Sequence, residues 1–447
     1  MNTNARELAM KILLDINLNK AYSNLTLNKY LKDVTEKKDE NLIREIIYGV
    51  LENLIYIDYI ISKASKVKIK KIHPNILEIL RIGIYQLVFM DKIPESAAVN
   101  ESVKLAKKYG HKGTIGYTNG VLRSISRDRE GFMKINAKDK IEYISIKYSH
   151  PQELVKRWVD QFGMDFTEKL CSANNTRPEL NIRVNSLKTD KDSLRLSLNE
   201  QGIKTLEGKY AENALLVKNP FAITQTQEFK QGLFTIQDES SMLVGQIMDP
   251  KEGSKVLDVC SAPGGKSTHI AQIMNNKGYI LSRDIHPHKI NLIEDNVNRL
   301  GISIVETEVA DALDLDENLI GKFDYCLLDA PCSGLGLIRR KPEIKLNRKA
   351  EDIDSLSTLQ YNIINTIKDY IKTGGVLVYS TCTIERSENL DLIEKFLEEN
   401  PEFKLVSIEG RIKNEEEFST LKDGYIELFP HIHGTDGFFI AKMIKER

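Results

Sequence analysis

The chain has only five cysteines in 447 residues, and they are widely dispersed. An odd, scattered set makes no disulfide framework, and none of the spacings suits a metal, so reduced thiols and no metal are expected. No apolar run is long enough to cross a bilayer, and Met1–Asn2–Thr3–Asn4 does not read as a signal peptide; a cytoplasmic protein without membrane attachment is expected. Net charge is nearly absent, with 63 Lys and Arg against 64 Asp and Glu. Hydrophobic content of 41% and charged content of 28% are those of a soluble globular protein, and the length calls for two or three domains.

The small net charge hides a gradient. Residues 1–150 hold 26 basic and 17 acidic side chains, whereas residues 251–447 hold 25 and 33. A basic first third on an acidic body suggests an appended module that holds a polyanion. That third reads as helical. Asn4–Ala5–Arg6–Glu7 has the form of a capping box, with Leu8, Ile12 and Ile16 following at helical spacing. Ile43, Ile46 and Ile47 continue the pattern. Between Ser62 and Lys71 stand five lysines that could touch phosphates or solubilise a loop. The nearly continuous apolar run Ile76–Leu87 should be the buried centre of a bundle, and Pro94 separates it from a further helix at Ala98–Val103.

Residues 131–150 are charged and weakly patterned, as a linker would be. Beyond them, Leu154, Val155 and Trp158 mark a helix around the only tryptophan, expected in the core. Leu180–Asn185, a helix near Ser193–Leu198, Leu215–Val217 and Leu233–Ile236 make a small α+β unit. From about residue 236 strands and helices alternate, which predicts a doubly wound sheet. Its strands are expected at Lys255–Val259, Gly278–Arg283, Ser303–Glu306, Phe323–Leu328, Gly375–Ser380 and Gly437–Met443.

Between the first of these strands and its helix lies Cys260–Ser261–Ala262–Pro263–Gly264–Gly265–Lys266. Glycines let a ligand approach the main chain closely, and the following helix N-terminus favours a carboxylate or phosphate. A Walker loop would need glycine at position 260, which is Cys, and the adjacent glycines break the dinucleotide spacing. Asp284 closes the second strand about 20 residues after the loop, where ribose hydroxyls are gripped in such folds. Asp311 follows the third strand in the same manner. A nucleotide-like ligand is expected here, against the plain alternative of an α/β turn with surface aspartates.

Two cysteine-bearing loops fall at the ends of neighbouring strands. Asp329–Ala330–Pro331–Cys332–Ser333–Gly334 follows one, and Ser380–Thr381–Cys382–Thr383 follows the other. Two thiols, a carboxylate and a methyl donor meet one chemical need. Carbon 5 of cytosine is too electron-poor to attack a methyl group, but a thiolate added at carbon 6 makes it nucleophilic. A carboxylic acid such as Asp329 can protonate or hydrogen-bond ring nitrogen 3.

The three motifs together resemble the S-adenosyl-L-methionine-dependent RNA cytosine-5 methyltransferases from about residue 150 onward. The resemblance implies that Cys260, Ser261, Ala262, Pro263, Gly264, Gly265 and Lys266 embrace the methionine part of the cofactor. It further implies Asp284 at the ribose, Asp311 by the adenine and Asp329 at the junction of cofactor and base. Cys382 is implied as the nucleophile and Cys332 as the thiol that assists product release. Spacing alone leaves this open, since DNA cytosine methylases use their Pro-Cys thiol. Arg339–Arg340–Lys341–Pro342–Glu343 matches a basic family segment expected to meet RNA. Arg283 departs from the pattern, where a small or apolar residue is usual.

The first 130 residues are similar to the NusB family of helical RNA-binding modules. The resemblance rests on Leu80–Leu87, Ile93–Pro94, Val99–Gly110 and Asn119–Arg123. The expected architecture is therefore multidomain. An all-α NusB-like domain spans 1–130, a linker 131–150, a small α+β RNA-binding insert 151–235, and a Rossmann-like class I methyltransferase 236–447. Jointly they imply a monomeric enzyme acting on carbon 5 of one cytosine in small-subunit (16S) ribosomal RNA. A tRNA substrate, or a non-catalytic RNA-binding or antitermination factor, are the alternatives.

Overall fold

A computed structural model describes residues 4–32, 34–218 and 222–446. Met1–Thr3, where the signal-peptide question arose, lie outside the described residues. By its packing the chain divides into two units. One holds residues 1–176 with Ile338–Asn347, and the other holds Arg177–Leu337 with Arg348–Arg447.

The first unit is helical. Ala5–Asn19, Lys37–Glu52, Leu54–Ala64, Pro74–Phe89, Glu95–Tyr109 and Lys112–Arg127 are its longer helices. The Pro74–Phe89 helix is mostly apolar and buried along most of its length, and its buried Arg81 pairs with Glu78 and Asp58. Ile12, Leu13, Ile46, Ile47, Ile57, Ile79, Leu80, Leu122 and Ile125 form one core. At the chain start the Asn4 side chain accepts from the main-chain N–H groups of Arg6 and Glu7. The other half of the expected capping box is absent. Glu7 turns instead to Lys108 and Tyr109, which hold its carboxyl down at about 2. Of the five lysines of the 62–71 stretch, Lys63 donates to the carbonyls of Gly131, Phe132 and Lys134, a helix-end role rather than a phosphate contact.

Residues 131–150 contain the end of the Arg129–Met133 helix and all of the Lys140–Lys147 helix, and Ile144, Ser145 and Ile146 are buried. Trp158 is fully buried on the Gln152–Phe162 helix, its ring 5.7 Å from that of His150.

The second unit contains two sheets. The smaller consists of β1 (Leu180–Val184), β2 (Thr205–Glu207), β3 (Ala214–Val217) and β4 (Phe234–Ile236), antiparallel throughout in the order β2-β3-β1-β4. The helix Lys191–Glu200 contributes Leu194 and Leu198 to its core. The larger comprises β5 (Lys255–Asp258), β6 (Tyr279–Asp284), β7 (Val305–Val309), β8 (Phe323–Asp329), β9 (Ile371–Thr381), β10 (Phe403–Leu405), β11 (Tyr425–Leu428) and β12 (Phe438–Lys445).

The order in the larger sheet is β10-β12-β9-β8-β5-β6-β7, with β11 paired to β12. β5 to β9 are mutually parallel, and β12 joins antiparallel to β9. Successive residues of β5 show why the run reads as continuously apolar. Val256 packs with Ile270, Ile293 and Leu327 on one face, and Leu257 packs with Cys326, Leu328 and Leu377 on the other. Both faces are covered, so function is confined to the strand ends. The carboxyl ends of β5, β6, β8 and β9 lie side by side there, where open α/β sheets hold their ligands.

Candidate active site

The turn after β5 is built around Gly264, whose φ of +89° suits glycine and whose N–H donates to Ser261. The helix Gly265–Ile273 starts immediately after it. Its first-turn N–H groups have no partner within the helix and form a cradle for an anion. Arg183 of β1, fully buried, braces this start. It donates to the Gly265 carbonyl at 2.6 Å, to Thr268 Oγ1 at 2.9 Å and to Gln237. Burial lowers its pKa to about 9. Asp258, at the end of β5, accepts from Ser267 Oγ at 2.6 Å, and its other oxygen has no partner. Burial pushes that carboxyl up to about 7.

At the end of β6, Asp284 accepts from the N–H of His286 at 3.0 Å and of Ala262 at 3.4 Å. A carboxylate offers about four lone-pair sites, so two remain for the hydroxyl pair of a ribose. Asp311 lies two residues beyond β7 and accepts from the Leu313 N–H at 3.0 Å. Arg283 is 6% exposed and pairs with Glu308 and Asp316 on the outer strand and its loop.

Lys266 and the segment Arg339–Glu343 have partners within the protein. Lys266 stood among the residues of the ligand turn, yet its ammonium reaches Asp329 Oδ2 at 2.6 Å and lies 5.4 Å from the ring centre of Phe438. Burial opposes its charge, but the carboxylate of Asp329 and the nearby Cys382 outweigh burial and raise its pKa. The segment Arg339–Glu343, expected to meet RNA, belongs to the helical unit. There Arg339 and Glu343 are buried, and Glu343 accepts from the Ser23 N–H at 2.9 Å.

The thiols converge. Cys332 Sγ and Cys382 Sγ stand 3.2 Å apart, one thiol donating to the other. The parallel pairing of β8 with β9 sets Asp329 beside Ser380, whose Oγ donates to Asp329 Oδ1 at 2.8 Å. Gly336 N donates to the Cys382 carbonyl at 3.0 Å, and a Cβ at Gly336 would lie 1.9 Å from the Gly437 carbonyl oxygen. Glycine is required at that crossing. The hydrogen bond to Cys382, then burial, raise the pKa of Cys332 well above that of an ordinary thiol. Cys260 is also pushed up by burial, and Cys171 and Cys326 are buried as core residues. All five are free. Among the described residues no group of His, Cys, Asp and Glu could hold a metal ion, and no helix is long and apolar enough to cross a membrane.

Residues 245–444 match the family model for 16S rRNA methyltransferase RsmB/F, residues 3–127 that of the NusB family, and residues 150–224 that of the RsmF/B-like ferredoxin-like domain. A probable ribosomal RNA small subunit methyltransferase B of Bacillus subtilis is 42% identical, over 99% of each chain. The chain belongs to the ribosomal RNA small subunit methyltransferase B family. The namesake from Klebsiella pneumoniae is 32% identical over 100% of this chain and 99% of its own. A crystal structure of a methyltransferase homolog protein from Pyrococcus horikoshii is 30% identical with a TM-score of 0.60, covering 69% of this chain and all of that one. Family membership accounts for the order of parts seen above: NusB-like helices, a ferredoxin-like insert and a catalytic sheet.

Sequence reasoning did not find Asp258, Arg183 or the residues that brace the thiol loops. The signal for Asp258 was a charged residue closing a strand whose two central residues are apolar.

Proposed function

We propose that the chain methylates carbon 5 of a cytosine in small-subunit ribosomal RNA, with Cys382 forming a transient bond to carbon 6. The observation that carries this reading is the pair of thiols 3.2 Å apart beside the Lys266–Asp329 ion pair, at the carboxyl end of a parallel sheet. A single buried cysteine is usually a small hydrophobe, but two in contact at neighbouring strand ends serve chemistry better than packing.

The residues present fit S-adenosyl-L-methionine. The cradle from Cys260 to Lys266 suits its carboxylate, the free capacity of Asp284 suits its ribose, and Asp311 and Asp329 flank the rest. When bound, it supplies an electrophilic methyl group. The Cys382 sulfur, as thiolate, bonds to carbon 6 and sends a ring electron pair toward carbon 5. The Lys266–Asp329 pair holds a proton between nitrogen and oxygen and directs it to ring nitrogen 3, which stabilises the adduct. Once carbon 5 bears its methyl group, Cys332, its own proton lost to water after Cys382 is tied up in the adduct, takes the remaining carbon-5 proton, and ring nitrogen 3 returns its proton to the Lys266–Asp329 pair. The carbon–sulfur bond then breaks and Cys382 leaves as thiolate. The target base must arrive unstacked, from a loop or by flipping. The basic helical unit would grip phosphates, while the cleft selects the base.

The test is incubation with radiolabelled S-adenosyl-L-methionine and unmodified small-subunit rRNA. Label in 5-methylcytosine is expected, absent with Cys382→Ala. Cys332→Ala is expected to leave a denaturation-resistant protein–RNA adduct. Label on tRNA alone would move the substrate, and an adduct trapped by Cys382→Ala would exchange the thiol roles.

A further inference from the structure

Immediately after the Cys382 loop, the single turn Arg386–Glu388 ends in two consecutive buried polar residues, Glu388 and Asn389. Neither takes part in the chemistry just described, yet between them they grip both thiol loops. Glu388 Oε2 accepts from the Ser333 N–H, next to Cys332, at 2.8 Å. The same oxygen accepts from Gln360 Nε2 at 2.8 Å, and that amide also donates to the Pro331 carbonyl, on the other side of Cys332, at 2.9 Å. Asn389 does likewise for the second thiol. Its Oδ1 accepts from Thr381 Oγ1 at 2.5 Å, and its Nδ2 donates to the Thr383 carbonyl at 3.0 Å. Ser333 Oγ and Thr383 Oγ1, 2.7 Å apart, close the bridge between the loops. Tyr379 OH donates to the Glu388 carbonyl at 2.6 Å and fixes the turn to β9.

We propose that Glu388 and Asn389 are positioning residues that hold the Cys332 and Cys382 loops so that the two thiols stay at working distance. The proposal rests on the cysteine reading above. A structural staple alone would be served as well by two amides. The grip on the Cys332 loop is instead a buried carboxyl group, one of whose oxygens, Oε1, has no hydrogen-bond partner among the described residues. Leaving such a group buried is costly. Burial raises the pKa of Glu388, and its Oε2 is taken up by the Ser333 N–H and the Gln360 amide, so the residue acts on the Cys332 loop through these two hydrogen bonds. The clip thus fixes the Cys332 loop through Glu388 and the Cys382 loop through Asn389, and the Ser333–Thr383 contact ties the two loops together.

Three variants test this in the full chain, with folding checked by thermal melting. Asn389→Ala is expected to slow adduct formation in a single turnover at least tenfold with little change in RNA affinity. Glu388→Ala is expected to accumulate the protein–RNA adduct, as Cys332→Ala does. Glu388→Gln retains an acceptor for the loop and so guards against a misfolded alanine variant. It is expected to restore adduct resolution, and in the RNA-free chain Glu388→Ala, unlike Glu388→Gln, is expected to slow diamide-driven closure of a Cys332–Cys382 disulfide by about tenfold, read by peptide mass spectrometry. Wild-type rates of disulfide closure together with wild-type single-turnover rates in the folded variants would overturn the proposal. The disulfide closure needs no RNA, so it judges the clip even where wild type forms no 5-methylcytosine, a result that would strike the cysteine reading instead.

Discussion

Two lysines drawn largely out of solvent, one in each unit, are held in opposite ways. Lys266 in the catalytic unit meets a carboxylate, and its pKa is raised in spite of burial. Lys345 in the helical unit is fully buried and meets only neutral oxygens. Its Nζ donates to the Glu52 carbonyl at 3.0 Å, to Asn175 Oδ1 at 2.9 Å and, more weakly, to the Tyr148 carbonyl at 3.5 Å. Burial lowers its pKa to about 7. A cation that must act on a bound base keeps its counter-ion and its charge. A lysine that pins main-chain carbonyls needs only its donors. The same residue type therefore marks chemistry in one place and assembly in the other, and the acceptor decides which.

The sharpest way to break this contrast is to remove each amine in turn. Lys266→Met is expected to cut single-turnover methylation by 10²–10³-fold, the usual effect of losing one aligned charge or donor, with little change in thermal midpoint. A variant that kept wild-type rates would take Lys266 out of the reaction. Lys345→Met should do the reverse. Three oxygens lose their donor, which costs about 2–4 kcal/mol by denaturant unfolding, while the rate per folded molecule stays within a few-fold. Were the two outcomes exchanged, the assignment of acting and pinning lysines would be wrong.

pH sharpens the comparison further. In the unfolded chain Lys345 has its ordinary pKa near 10.5, and in the folded unit about 7. Between these values the unfolded chain holds a proton that the folded one lacks, so raising the pH favours folding. The stabilising share of Lys345 is lost as pH falls through that window and is absent below about 7. Wild type is therefore expected to gain on Lys345→Met by about 1 kcal/mol per pH unit between pH 7 and 9.5, in paired urea titrations. Lys266 has a raised folded pKa, so its share is fully present below 10.5, and Lys266→Met should leave that slope unchanged. Parallel slopes for wild type and Lys345→Met would remove the difference between the two sites.

What the sequence made legible follows the range of the interactions. The turn at 260–266, the aspartates at strand ends and the two thiol loops are local strand–turn patterns, readable a few residues at a time. The helical character of the first 130 residues came from periodicity in the same way. Glu388 finds its partner Ser333 at a separation of 55 residues, and Arg183 reaches Gly265 across 82. No local pattern announces such pairs, because a buried Glu or Arg looks like a surface residue until its partner is known. Residues 131–150 mislead for a related reason. Their charges face outward while a few apolar side chains, Ile144 and Ile146 among them, bury the helix. The segment Ile338–Asn347 follows the Cys332 loop in sequence yet packs with the helical unit, which only three dimensions reveal.

Arg283 carries the smallest expected effect and tests how far the catalytic edge of the sheet tolerates change. It precedes Asp284 directly, so an effect on the ribose position could be feared from its departure from the family pattern. Alternation along β6 argues otherwise, since neighbouring side chains of a strand point to opposite faces. The guanidinium spends itself on Glu308, 48% exposed, and Asp316, 31% exposed, and such solvent-facing pairs are worth little. Asp284 keeps its own main-chain donors at Ala262 and His286, neither of which involves the Arg283 side chain. Arg283→Leu is therefore expected to shift stability by less than about 1 kcal/mol. The Kd for S-adenosyl-L-methionine, measured by calorimetry, should move less than about threefold, the factor equivalent to a fraction of a kcal/mol. A tenfold loss would mean that the ion pairs beyond the strand, and not the main-chain donors, set the position of the Asp284 carboxylate.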